Sequence, residues 1–188
     1  MNILTMDFPL QALAVAATLL TAVSDNAVVL FDSSADPGYG FDAISDAVPL
    51  NASFSTGAAS VALSEVKLLL RKAASGSGTI NVSLLSDNRT APGPLLENIG
   101  SVESGALSPD AQLVEIRVAP SRVLSANTRY WIEVSGSGNA GEWAYSRSHD
   151  GSGIASEFYK NSFGLHPDME TGPYIMQVNA VFADAVQR

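Results

Sequence analysis

GSGTINVSLLSDNRTAPGPLLENIGSV, residues Gly76 to Val102, reads as two β-strands around a rigid turn. Ile80, Val82 and Leu84 alternate with Thr79, Asn81 and Ser83, the period of two that puts one face of a strand on a core. Ser86, Asp87 and Asn88 carry side chains that bond their own backbone and tolerate turn geometry. Pro92-Gly93-Pro94 sets φ twice around a permissive glycine, which bars a helix or a central strand there. Leu95, Leu96, Ile99 and Val102 then resume the apolar run. The stretch predicts a hairpin.

Outward from it, the same alternation recurs. Ala27–Phe31 is a short apolar strand, and Asp32 to Pro49 reads as loop, with a turn at Asp36-Pro37-Gly38. Residues 52–56 (ASFST) form the next strand, anchored by Phe54. Val66, Leu68 and Leu70 alternate with Lys67, Leu69 and Arg71; helix formers occur there too, but the Gly-Ser block that follows favours a strand. Val114, Ile116 and Val118 alternate with Glu115 and Arg117, the cleanest strand in the chain. Tyr130, Ile132 and Val134 alternate with Trp131 and Glu133. Trp143 and Tyr145 share a strand, Ile154–Lys160 is a weaker one, and Tyr174–Phe182 closes the series. Roughly eight to ten short strands between turns, with no amphipathic helix, predict an all-β fold, an antiparallel two-sheet β-sandwich that is jelly-roll-like.

Composition narrows the function. The chain has 188 residues, 46% hydrophobic and 15% charged, enough for one domain with a full core. Its net charge of −9, from 10 basic and 19 acidic residues, argues against nucleic acid, whose phosphates need clustered Lys and Arg. The absence of cysteine excludes disulfides, thiol chemistry and Cys-type metal sites. Residues 8–23 (FPLQALAVAATLLTAV) are uncharged, too short for a comfortable membrane span, and resemble the apolar core of an export signal. The expected organisation is a signal peptide over residues 1–24, with an atypical n-region lacking Lys and Arg, and a single sandwich domain over 25–188. No stable membrane span is expected.

The order SFSTG (53–57), VKLLLRKA (66–73), GSGTINVSLLSDN (76–88), APGPLLENIG (91–100) and NTRYWIEVSGSG (127–138), followed by Gly141-Glu142-Trp143, resembles the choice-of-anchor R domain family of bacterial exported proteins. The resemblance covers about residues 50–147. It implies an exported sandwich at the cell surface or in extracellular polymer, with no established catalytic role. Many such proteins end in a PEP-CTERM-type sorting tail. Here the ending VNAVFADAVQR has no Pro-Glu-Pro motif, apolar helix or basic cluster, so a released protein, one held by a partner, or a fragment is expected.

Candidate sites follow from residue chemistry. A flat aromatic on a sandwich can stack on a pyranose ring while carboxylates and amides fix its hydroxyls. By alternation, Trp131 and Glu133 face outward if Tyr130, Ile132 and Val134 face the core. With Trp143 and Tyr145 they are the carbohydrate-binding candidates; the alternative is that Trp131 covers the sheet and Trp143 fills the core edge. For calcium, the hard-cation candidates are Asp32, Asp36, Asp87, Asn88 and Asp150, all in expected loops. His149 with Asp150, and His166 with Asp168, are sparse pairs that more often are exposed loop residues. No Gly-x-Ser-x-Gly elbow occurs. Gly38-Tyr39-Gly40 with Ala43 mimics a dinucleotide fingerprint, but no helix follows it. Three N-glycosylation triplets, at Asn51, Asn81 and Asn88, are expected by chance in Ser- and Asn-rich strands.

The sequence therefore predicts a noncatalytic exported interaction module that meets extracellular polysaccharide or a surface protein. The alternative is a carbohydrate-binding module, calcium-assisted in one version. A jelly-roll hydrolase is the third reading, and it requires His149 or a paired carboxylate in a real cleft.

Overall fold

The Gly76–Val102 stretch is a hairpin in the computed structural model, which describes residues 27–186. The expected signal peptide at residues 1–24 lies outside the described residues. The strands in chain order are β1 (Ala27–Asp32), β2 (Gly38–Ala43), β3 (Leu50–Ser55), β4 (Val61–Arg71) and β5 (Thr79–Asp87). Next come β6 (Pro92–Glu103), β7 (Gln112–Arg117), β8 (Val123–Leu124), β9 (Arg129–Gly136) and β10 (Glu142–Ser146). The chain continues with β11 (Phe158–Asn161), β12 (Gly164–Pro167), β13 (Met176–Phe182) and two four-residue helices, α1 (Asp168–Thr171) and α2 (Ala183–Val186).

All pairings are antiparallel and divide the strands into two sheets. The first runs β1-β13-β4-β10-β2. Its long strand β4 carries β13 and then β10 along one edge, and β8 and then β7 along the other. The second runs β12-β11-β3-β9-β5-β6. One core cluster joins them: Val66, Leu68, Leu70, Met176 and Val178 from the first sheet, Phe54, Ile80, Val82, Leu84, Ile132 and Val134 from the second. The protein is an all-β sandwich.

Most expected strands sit where the alternation placed them, and the exceptions are local. The Asp32–Pro49 loop contains a strand, β2, whose sequence GYGFDA alternates Tyr39, Phe41 and Ala43 with Gly38, Gly40 and Asp42; the two glycines and the aspartate are poor strand formers, and pairing with β10 holds the segment as an edge. The turn of the organising hairpin falls at Asn88–Ala91, where Arg89 (φ 54°) and Thr90 (φ 72°) are both left-handed. Two non-glycine residues there are stabilised by the Thr90 N–H donating to Asp87 Oδ2 at 3.1 Å. Pro92-Gly93-Pro94 opens β6, an edge strand, where a missing N–H is tolerated. Register shifts along that ladder leave Leu95 exposed. Ile154–Lys160 begins as a 3-10 turn, Ile154–Ser156, before β11. Among the described residues no helix is long and apolar enough to cross a membrane.

Candidate functional site

A cleft of about 510 Å³ opens where the β2 edge of the first sheet meets the β11–β12 edge of the second. It is lined by Asp42, Tyr145, Arg147, His149, Tyr159 and Asn161, with Phe163, Glu170 and Thr171 at the far side. Its floor is built outward from the core. Trp143 and Tyr174, both fully buried, stack with ring centroids 4.3 Å apart, and the Trp143 indole N–H donates to the Ile175 carbonyl at 3.0 Å. The Tyr174 hydroxyl donates to Asp42 Oδ2 at 2.5 Å, and Asn161 Nδ2 donates to the same oxygen at 3.2 Å. Burial and the neighbouring Asp42 push the Tyr174 hydroxyl well above its ordinary range, so it stays a proton donor. The Asn161–Asp42 bond joins the two sheets across the base of the cleft.

The walls are aromatic. Tyr145 lies against Gly40, its partner in the β2–β10 ladder, and packs on Tyr39. The Arg147 guanidinium sits 3.6 Å above the Tyr39 ring. Opposite, Tyr159 stacks on His166 at 5.1 Å and meets Tyr174 edge-on. Burial holds the Tyr159 hydroxyl above its usual range, so it too is a donor at neutral pH. Phe163, at the tip of the β11–β12 turn, is 85% exposed. His149 Nδ1 is buried without a hydrogen-bond partner. The nearby Asp36 carboxyl is pushed up by burial, with Asp150 and Asp32 adding to the effect and Ser148 and His149 opposing it.

Of the four carbohydrate candidates, only Tyr145 lines the cleft. Trp143 lies beneath it as core, and stacking on a sugar is closed to it. Trp131 meets the outward expectation in direction but not in access. It does share the outer face of β9 with Glu133, outside the core cluster, yet it is 0% exposed and its indole N–H donates to Asp87 Oδ1 at 2.8 Å. A tryptophan on an outer face is large enough to be covered and polar enough to be tied down. Glu133 sits in a separate polar furrow with Asn81, Ser83, Asn98, Ser101 and Ser135. Partial burial raises its carboxyl, and Lys160 counteracts this.

The calcium candidates do not converge. Asp32, Asp36 and Asp150 are neighbours, but Asp87 and Asn88 stand at the β5–β6 turn of the other sheet. Three of them also have oxygens engaged: Asp32 accepts from Ser34 and Gln177, Asp150 from Ser148, and Asp87 from Trp131 and Thr90, while Asp36 Oδ2 is buried with no partner among the described residues. Among the described residues no three His, Cys, Asp or Glu side chains assemble into a metal-holding group. His149 reaches the cleft, His166 backs its wall, and Asp168 is buried away from it beside Glu157.

Sequence reasoning missed Asp42, Arg147, Tyr159, Asn161, Phe163 and Glu170. Their only linear signal is a concentration of tyrosines in the last third of the chain and at Tyr39. The fold and site define an antiparallel two-sheet sandwich with an aromatic cleft at one end. No protein-family model matches the chain, and no curated protein is significantly similar to it.

Proposed function

We propose that this protein is a noncatalytic, exported β-sandwich that acts as a surface or matrix interaction module, and that its ligand is a carbohydrate held in the Tyr145–Tyr159 cleft. One observation carries the reading: aromatic walls face a carboxylate that is already oriented, Asp42, fixed by Tyr174 and Asn161. Sugars are recognised by that combination, rings against C–H faces and rigid polar groups on hydroxyls. The resemblance to choice-of-anchor R domains supports the exported, surface-associated part. The ligand site moves from the tryptophans to the tyrosines.

A hydrolase is the second reading, favoured by His149 and two carboxylates, Asp42 and Glu170, in one cleft. Against it, Asp42 already accepts from two neutral protein donors, Tyr174 and Asn161.

The test is a glycan array with the full chain, followed by calorimetric titration of any hit. Saturable binding weakened tenfold or more in Tyr145→Ala and Tyr159→Ala, on the scale of a lost stacking contact, supports the reading. Binding that survives both substitutions places the ligand elsewhere. Shortening of the bound glycan on incubation would favour the hydrolase.

A further inference from the structure

We infer that the cleft selects a protonated amine carried on the glycan, so that its ligand class is an amino sugar with free amino groups. The inference rests on the carbohydrate reading and names the sugar's chemistry.

Asp42 supplies the first reason. Oδ2 takes both of its protein hydrogen bonds, while Oδ1 has no hydrogen-bond partner among the described residues. Both donors are neutral, since the Tyr174 hydroxyl keeps its proton and Asn161 is an amide, so the carboxylate charge is oriented but not neutralised. Neither Asp42 nor Glu170 takes part in an ion pair among the described residues. A ligand hydroxyl would satisfy Oδ1 with an ordinary hydrogen bond. An ammonium group would do so with a charge-assisted one, roughly twice as strong.

The walls supply the second reason. The faces of Tyr145 and Tyr159, with the exposed ring of Phe163, attract cations through their quadrupoles. The site already shows this preference, because Arg147 holds its guanidinium over Tyr39. That pairing also positions the ligand. Arg147 is tied to Tyr39 on the β2–β10 wall, whereas Asp42, also on β2, reaches across to Asn161 on β11 and forms no ion pair with Arg147 among the described residues. A cationic ligand group therefore belongs on the β11 side, between Asp42 and the Tyr159–Phe163 wall, away from Arg147.

The field has the right sign. Asp32, Asp36 and Asp150 stand together behind His149, and the whole chain carries a net charge of −9. An anionic sugar would meet repulsion from this surface, and a cationic one would be drawn to it.

Two probes with one skeleton separate the possibilities. Oligomers of β-1,4-linked glucosamine and of their N-acetylated form would be titrated into the full chain, at a pH that protonates the free amine. Methylammonium, which keeps its N–H donors, would serve as a sugar-free cation. The deacetylated oligomer is expected to bind about tenfold more tightly, the preference collapsing in Asp42→Asn and weakening in Glu170→Gln. Thermal melts check that both variants are folded, and Glu170→Gln, an exposed position, serves if Asp42→Asn is not. Equal affinities, or a preference that survives both substitutions, overturn the inference and leave the carbohydrate reading standing. Methylammonium binding that depends on Asp42, with no oligomer binding, keeps the cation site and overturns the amino-sugar ligand, the glycan array deciding the carbohydrate reading. No binding of any probe overturns the inference, and an empty glycan array overturns the carbohydrate reading as well.

Discussion

Gly40 faces Tyr145 across the β2–β10 ladder, and a Cβ on it would lie 2.4 Å from the tyrosine Oη. The obstructing atoms belong to the outer end of a side chain, which can swing aside. Gly40→Ala should therefore leave the melting temperature nearly unchanged while displacing Tyr145 and weakening glycan binding; titration beside a thermal melt reads both. The two tryptophans behave in the opposite way. Trp131→Ala empties a fully buried site and strips Asp87 Oδ1 of its donor, and it should cost about 3–5 kcal/mol in urea unfolding. The variant that remains folded should bind ligand like the parent. Trp143→Ala should lose comparable stability and binding as well, because Trp143 supports Tyr174 and, through it, Asp42.

The segment from the 3-10 turn at Ile154 to α1 holds a second buried polar cluster, distinct from the cleft. Glu157 accepts from Ser53, Ser55 and Arg129, which satisfies both of its oxygens. Asp168, 0% exposed, has no partner for either oxygen. Desolvation, reinforced by the Glu157 charge and opposed by Arg129, raises its carboxyl from 3.8 to about 8. The folded protein thus keeps a proton that the unfolded chain releases near pH 3.8, so this carboxyl contributes a loss of stability as pH rises from about 4 to about 8 and nothing further above that. Asp168→Asn should flatten the decline and stabilise the protein at alkaline pH by roughly 2–4 kcal/mol, as removal of an unpaired buried charge does. Denaturant midpoints across that pH range measure it; an unchanged slope would show that Asp168 is already ionised at low pH. Arg129→Ala leaves the Glu157 charge without its cation in a nearly closed site and should cost about 3 kcal/mol or more.

Across the whole molecule, the first and last strands are neighbours. β13 lies between β1 and β4, and it completes the first sheet only after the rest of the chain has been laid down. Deleting residues 173–188 should leave β1 without a partner and abolish cooperative unfolding, which circular dichroism and a denaturant titration would report. Pairings this distant in sequence also predict slow refolding, in the range of about milliseconds to seconds. The cleft depends on the same closure, because Tyr174 enters just before β13 and carries Asp42.

Local alternation determined the sandwich. The buried faces of β4, β5, β9 and β13 were legible because a side-chain period of two leaves one face for the core, whatever the strand pairs with. Where sequence is silent on partners, reading stopped. Gly38–Ala43 alternates Tyr39, Phe41 and Ala43 with Gly38, Gly40 and Asp42, a short period weakened by its glycines beside the Asp36-Pro37-Gly38 turn, and pairing with β10 makes it a strand. Alternation correctly set Trp131 opposite the core face, but whether an outer face meets water depends on what covers it. The cleft draws on Asp42, Tyr145, Tyr159 and Glu170, separated along the chain by most of its length. They meet because two sheet edges close on each other, and that proximity arises only once both sheets have formed.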